Sequence, residues 1–259
     1  MMTRETEEKL AKALTAETVE LIPFLPYLLQ DLWELGSNPR DILQLINKNI
    51  TISDDFTFLE LACGKGACSV NIAKALNVKV YGYDLLPDFI AYAKQKAKEW
   101  AVEELCHFAV GDVNELVNTE SDYDCVIFSA VGDVLGDPEE TLRKLSNTIK
   151  SGGYIIMDAT YLPDDKNSRD LRWAYDYLKR DDWLHIFSDL GLTLVEELPE
   201  TEEYDYESEL KTMSVRVNEL IAKHPDKRAM FERYLQNQKD EVADLENDLI
   251  GGMWLIQKI

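Results

Sequence analysis

The chain of 259 residues carries 49 acidic and 27 basic side chains, a formal charge of −22, with 46% hydrophobic and 10% aromatic residues. That much apolar material builds a packed core and excludes wholesale disorder, and the length fits one large α/β domain with additions better than two independent domains. The acidic exterior repels phosphate backbones and anionic surfaces, so neither nucleic acid nor membrane is an expected partner.

The opening stretch MMTRETEEKLAKAL lacks the basic-then-apolar order of a signal peptide, and the apolar run LIPFLPYLL is short and holds two prolines, so a cytoplasmic protein is expected. Glu5 to Asn49 reads as helical, with breaks at Pro23, Pro26 and the turn GSNPRD, where Ser37 or Asn38 caps a helix starting near Pro39. Within it Tyr27, Gln30, Asp31 and Glu34 fall close to one helical face. That stripe is either a cover for a ligand or the solvated side of an amphipathic helix.

From Phe56 to about Leu162 apolar runs alternate with amphipathic helices. The runs FTFLELA, VKVYGYD, CHFAVGD, DCVIFSAV and GYIIMDAT are short and rich in Val, Ile, Phe or Tyr, as buried parallel strands are. Between them ACSVNIAKAL, PDFIAYAKQKAKEWA and DPEETLRKLSNTIKSGG have helical spacing. DDWLHIFSDLG then reads as a helix, LTLVEEL as a strand, Glu207 to Asn247 as two helices split at HPDK, and GGMWLIQKI as a last strand. The fold expected is α/β, a doubly wound and mostly parallel seven-stranded sheet with N-terminal helices and a helical insertion at about 200–250 before the last strand. The domain division expected is a helical lid over 1–50 and the α/β domain over 51–259.

The stretch FLELACGKGACSV carries Gly64 and Gly66 at the first strand-to-helix turn, where missing side chains let a ligand approach the backbone. A dinucleotide fingerprint has a third glycine three positions on, and here that position is Ser69. Glu60 at the strand end opposes a phosphate and suits an ammonium group. The second strand ends at Asp84, where a carboxylate accepts both hydroxyl protons of a ribose, and the third at Asp112-Val113, an acceptor and an amide placed for an exocyclic amine and a ring nitrogen. An amino acid, a ribose and an adenine fit the three edges.

In the order ELACGKG, VYGYDLLP, FAVGDV, DCVIFSAV and LSNTIKSGGYIIMDA, over roughly residues 55–162, the sequence resembles the class I S-adenosylmethionine-dependent methyltransferases. The resemblance implies a reversed last strand and S-adenosylmethionine as cofactor. It implies a cofactor set of Glu60, Ala62, Gly64, Gly66, Asp84, Leu85, Asp112, Val113 and Ser129. Ala62 departs from the family, many of whose members have a further glycine there.

Methyl transfer from a sulfonium is an in-line displacement that needs alignment and dryness more than a triad. The end of the fourth strand faces the transferred group, so Asp133 is the first candidate for substrate contact or proton removal, although it also suits a local turn cap. Tyr161 and Asp158, after the fifth strand, share that edge. Tyr27, Trp33, Arg172 and Trp173 are candidate substrate walls, Arg172 for an acidic group. No metal site is expected: the four cysteines lack paired spacing and read as buried apolar residues, and the three histidines are scattered. The expected function is methyl transfer to a compact small molecule enclosed by the N-terminal helices, the Pro163–Trp183 segment and the Glu207–Asn247 helices, with a homodimer as a possible assembly. The alternatives are a nicotinamide oxidoreductase and a non-catalytic S-adenosylmethionine-binding protein.

Overall fold

A computed structural model describes residues 3–36, 38–168, 171–172, 177–199 and 205–259. The chain forms two compact units, one of Met1–Leu32, Thr160–Arg180 and Thr201–Gly251 and one of Trp33–Ala159, Asp181–Glu200 and Gly252–Ile259. Elements are numbered along the chain. Helical elements come first: α1 (Arg4–Ala13), a 3-10 turn (Val19–Phe24), α2 (Leu25–Leu28) and α3 (Pro39–Asn49). The α/β alternation follows as β1 (Thr57–Leu61), α4 (Ala67–Leu76), β2 (Lys79–Asp84), α5 (Pro87–Glu99), β3 (Cys106–Val110), α6 (Val113–Leu116), β4 (Tyr123–Phe128), α7 (Pro138–Thr148) and β5 (Ile149–Asp158). The chain closes with α8 (Arg180–Asp189), β6 (Leu192–Pro199), α9 (Tyr206–Lys223), α10 (Arg228–Asn247) and β7 (Gly252–Lys258).

The second unit is a seven-stranded sheet in the order β3-β2-β1-β4-β5-β7-β6. β1 to β5 pair in parallel, and β7 is antiparallel to both β5 and β6. The chain winds outward from β1 to β3 and then returns to place β4 on the other side of β1. A crevice therefore opens where the winding reverses, outside the carboxyl ends of β1 and β4. Alternate residues of each strand face opposite layers. Phe58, Cys125, Ile127, Ile156 and Leu255 join a core with Ile42, Leu45 and Ile46 of α3 and with residues of α4 and α5. On the opposite pleat Trp254 is fully buried, and the rings of Trp183 and Phe187 in α8 both stand 5.3 Å from it. A fully buried residue of this kind contributes about 1.5–3 kcal/mol relative to exposure.

Helix α3 belongs to this unit, which corrects the expected boundary at residue 50. Its apolar face is completely buried in the sheet-unit core, and Lys48 and Asn49 both bond Glu196 on β6. The expected cap is present: Asn38 accepts the Arg40 amide at 2.9 Å, with Pro39 at the first helical position.

The first unit is helical. A 3-10 turn at Pro225–Lys227 separates α9 from α10, and Phe24 packs edge-on against Phe231 at 5.1 Å. The expected polar stripe is not helical here, because α2 ends at Leu28 and the chain goes on through turns and bends. Tyr27 and Asp31 instead meet α9. The Tyr27 hydroxyl donates to Glu219 at 2.6 Å, and Asp31 takes both arms of the Arg216 guanidinium at 2.6 and 2.9 Å. The three segments expected to enclose a substrate thus fall largely within one compact helical unit.

Candidate functional site

Strand β1 ends in a turn, Ala62 to Gly66, that holds three residues in the left-handed region: Ala62 at φ 57°, Gly64 at 52° and Gly66 at 74°. Glycine adopts this freely, whereas an alanine there costs roughly 1–2 kcal/mol. Ala130, just past β4, has φ 57° as well. Both strands beside the crevice therefore leave it through a left-handed alanine.

The two glycines differ in what surrounds them. A Cβ on Gly66 would lie 2.7 Å from Ala93 Cβ and 2.8 Å from the Phe108 ring, so its missing side chain lets α5 and β3 close on the turn. A Cβ on Gly64 would have Leu35 as its nearest neighbour, the flexible Cδ1 end at 3.1 Å.

Glu60 is buried on the pleat facing α4, and the Ser69 hydroxyl donates to it. Burial pushes its carboxyl up to about 7 against the pull of Ser69, and the nearby Asp84 charge adds to the rise. Asp84, also buried, accepts the Gly64 amide and the Leu86 amide, each at 2.9 Å. Burial raises its carboxyl to about 6 while the amides of Leu86, Gly64 and Leu85 hold it down. Asp84 thereby ties the end of β2 to the glycine turn.

Beyond β3, Asp112 accepts the Asn114 amide at 2.9 Å as the cap of α6, and Val113 is buried as that helix's first residue. Beyond β4, the Ser129 hydroxyl donates to Asp158 Oδ1 at 2.5 Å, and the Ala130 amide also donates to Asp158. Burial raises the Asp158 carboxyl. Asp133 is exposed, and its carbonyl closes a turn with the Gly136 amide at 3.0 Å. Three carboxylates, the buried Glu60 and Asp84 and the half-buried Asp158, thus stand at the carboxyl ends of β1, β2 and β5. Among the described residues none of the three makes an ion pair.

The segment Trp33–Gly36 lies on the same edge. The Trp33 indole N–H donates to the Lys65 carbonyl at 3.1 Å, with its ring 5.3 Å from Trp100 and the Lys96 ammonium 5.2 Å above it. Gly36 comes so near the end of β4 that a Cβ on it would lie 2.7 Å from Ala130 Cβ.

The structure brings Glu60, Ala62, Gly64, Gly66, Asp84, Leu85, Asp112, Val113, Ser129, Asp133 and Trp33 into the sheet unit. It does not bring Tyr27, Tyr161 or Arg172 there. Tyr161 pairs with Ile250 through both backbone bonds, at 3.1 and 2.9 Å. Arg172 is not the lone cation expected: its guanidinium meets Asp244 at 2.7 Å and Asp248 at 3.2 Å inside the helical unit. Trp173 lies outside the described residues. Ser69, Leu35 and Lys65 carry the local geometry without a site motif of their own in the sequence. Ser69 stands out in the sequence only as the position where a dinucleotide fingerprint has glycine, and nothing in the local pattern announces that Leu35 meets Gly64. Among the described residues no cluster of His, Cys, Asp or Glu has the arrangement of a metal site, and no helix is long and apolar enough to cross a membrane.

A family model described as a methyltransferase domain matches residues 52–236. Norajmaline N-methyltransferase from Rauvolfia serpentina is 27% identical over 99 residues, covering 38% of this chain and 34% of that protein, so the match spans about a third of the relative's length. Two solved structures share the fold. A SAM-dependent methyltransferase from Geobacter sulfurreducens in complex with S-adenosyl-L-homocysteine has a TM-score of 0.75 at 16% identity over 92% of this chain and 98% of its own. A SAM-dependent methyltransferase from Thiobacillus denitrificans, in complex with the same compound, gives 0.73 at 18% identity over 91% and 98%.

Proposed function

The chain belongs to the methyltransferase-domain family, and on that premise we propose that it transfers a methyl group from S-adenosylmethionine to a compact small-molecule acceptor. The observation that carries this reading is the pair of buried carboxylates on neighbouring strand ends, Glu60 and Asp84, set about a bare glycine turn and without an ion pair among the described residues. Such a site favours a ligand with positive charge and hydroxyl donors over a phosphate.

Bound S-adenosylmethionine supplies an electrophilic methyl group on a sulfonium centre. The residues of the chain do the rest. Glu60 and the turn Ala62–Gly66 hold the amino-acid end. A carboxylate accepts about four hydrogen bonds, and the acceptor capacity of Asp84 beyond its backbone amides serves the ribose hydroxyls, with Leu85 beside it. Asp112 and Val113 receive the adenine. Asp158, gripping both Ser129 and Ala130, fixes the end of β4 as the edge that faces the acceptor. Asp133 on that edge is the candidate for acceptor contact or proton removal, and the transfer otherwise rests on alignment and exclusion of water.

The small-molecule class is supported by a relative whose name is norajmaline N-methyltransferase, while the −22 charge disfavours nucleic acid. The nicotinamide alternative is opposed by Ser69, which stands where that fingerprint has glycine and binds the acid of β1. Incubating the protein with methyl-labelled S-adenosylmethionine and pooled amine and hydroxyl metabolites tests the reading. Label transfer with S-adenosylhomocysteine release supports it. Binding without any transfer favours the non-catalytic alternative.

A further inference from the structure

The residues that join α3 to the crevice hold a side chain that the proposed function does not use. Trp33 is fastened to the glycine turn through the Lys65 carbonyl at 3.1 Å. Two residues on, Leu35 comes within 3.1 Å of where a Cβ on Gly64 would lie, and Gly36 presses against Ala130 beyond β4. The segment therefore crosses from the β1 turn to the end of β4, over the place where the winding of the sheet reverses. Glu34 sits between two of these anchors, half-buried, and among the described residues its carboxylate has no hydrogen bond or ion pair.

Glu34 is held near the glycine turn by Trp33 and Leu35 on either side of it. Burial raises the Cys68 thiol in the first turn of α4, and the charges of Glu60, Glu34 and Asp158 raise it further, in that order. The charge of Glu34 is thus felt at the first turn of α4, as that of Glu60 is. A half-buried carboxylate without a partner, carried on a segment anchored at both ends, is disposed to take a cation.

We infer that Glu34 is a further binding residue of the site, receiving the ammonium group of the cofactor's amino-acid tail. The inference rests on the proposed cofactor. Glu60 faces α4 and is bonded by Ser69, whereas Glu34 comes from the segment that covers Gly64. The two carboxylates would hold the tail from two different parts of the chain. Leu35 packs beside Gly64, next to Glu34 on the same segment.

The test compares Glu34→Gln with the wild type in calorimetric titrations against two probes. S-Adenosylhomocysteine has the ammonium group, and 5′-methylthioadenosine keeps the nucleoside but lacks the amino-acid tail. Glu34 has no internal partner to lose, so the variant should melt with the wild type in the absence of ligand. The inference predicts that S-adenosylhomocysteine binds about tenfold to a hundredfold more weakly to the variant, as for a lost charged hydrogen bond, with methylthioadenosine unchanged. Equal weakening for both probes would mean that the segment only shapes the pocket, and would overturn it. Unchanged affinity for both would overturn it as well. If the wild type bound neither probe, the cofactor reading itself would fail, a result distinct from either.

Discussion

The Ser69 hydroxyl is bonded to the Glu60 carboxylate, so the residue that replaces the third glycine of a dinucleotide fingerprint is the partner of the acid at the end of β1. Ser69→Ala removes the donor from a buried acceptor and is expected to cost about 1–3 kcal/mol. The loss should be larger in mildly alkaline buffer than at pH 5, because Glu60 at about 7 is then ionised. Urea denaturation at the two pH values checks this, and an equal loss at both would contradict it.

Both acids beside the turn have raised pKa values in the folded chain: Glu60 rises from 4.5 to about 7 and Asp84 from 3.8 to about 6. A raised carboxyl binds more proton folded than unfolded, so its stabilisation is present at low pH and is lost as pH climbs through the folded value. From these two groups, ligand-free stability should fall between pH 3.8 and about 7 and then level. Glu60→Gln should remove the upper part of that fall. A cationic ligand favours the ionised acids, so its binding near pH 6 should release protons, which titration in buffers of different ionisation heat detects.

Asp84 supports the turn as well as the proposed ribose. Asp84→Ala should weaken S-adenosylhomocysteine by about 1.5–3 kcal/mol. It should also destabilise the ligand-free protein, because the Gly64 and Leu86 amides lose their acceptor. Calorimetry and thermal unfolding read the two effects separately. Unchanged affinity in a folded variant would remove Asp84 from the site.

The two glycines should respond differently to alanine. Gly66→Ala forces a Cβ into Ala93 and Phe108 at φ 74°, and a loss of about 3 kcal/mol or more is expected from strain and overpacking together. Gly64→Ala has the flexible end of Leu35 as its nearest neighbour, so roughly 1–2 kcal/mol is expected, from the backbone. Comparing the denaturation midpoints orders the two.

The strand-helix alternation was legible because buried parallel strands are short apolar runs, and each acid at a carboxyl edge stood at the end of such a run. Glu60, Asp84 and Asp112 were therefore placed from sequence. The use of Arg172 was not legible, because an ion pair with Asp244 depends on a contact 72 residues away in the chain. Nor was α3 assigned to the correct unit: an amphipathic helix announces that it will bury a face but not against which partner. The end of α2 at Leu28 was hidden for a similar reason, since Tyr27 and Asp31 are positioned by α9, far along the chain.

The central claim is that the crevice at the end of β1 binds S-adenosylmethionine. Calorimetric titration of the purified chain with S-adenosylmethionine, with NAD in parallel, addresses it directly, using Gly64→Val as the variant that fills the space above the turn. The account predicts one molecule bound per wild-type chain and displaced by S-adenosylhomocysteine, with no heat from NAD and none from the folded variant. Binding of NAD in preference, or undiminished S-adenosylmethionine binding by Gly64→Val, would contradict it.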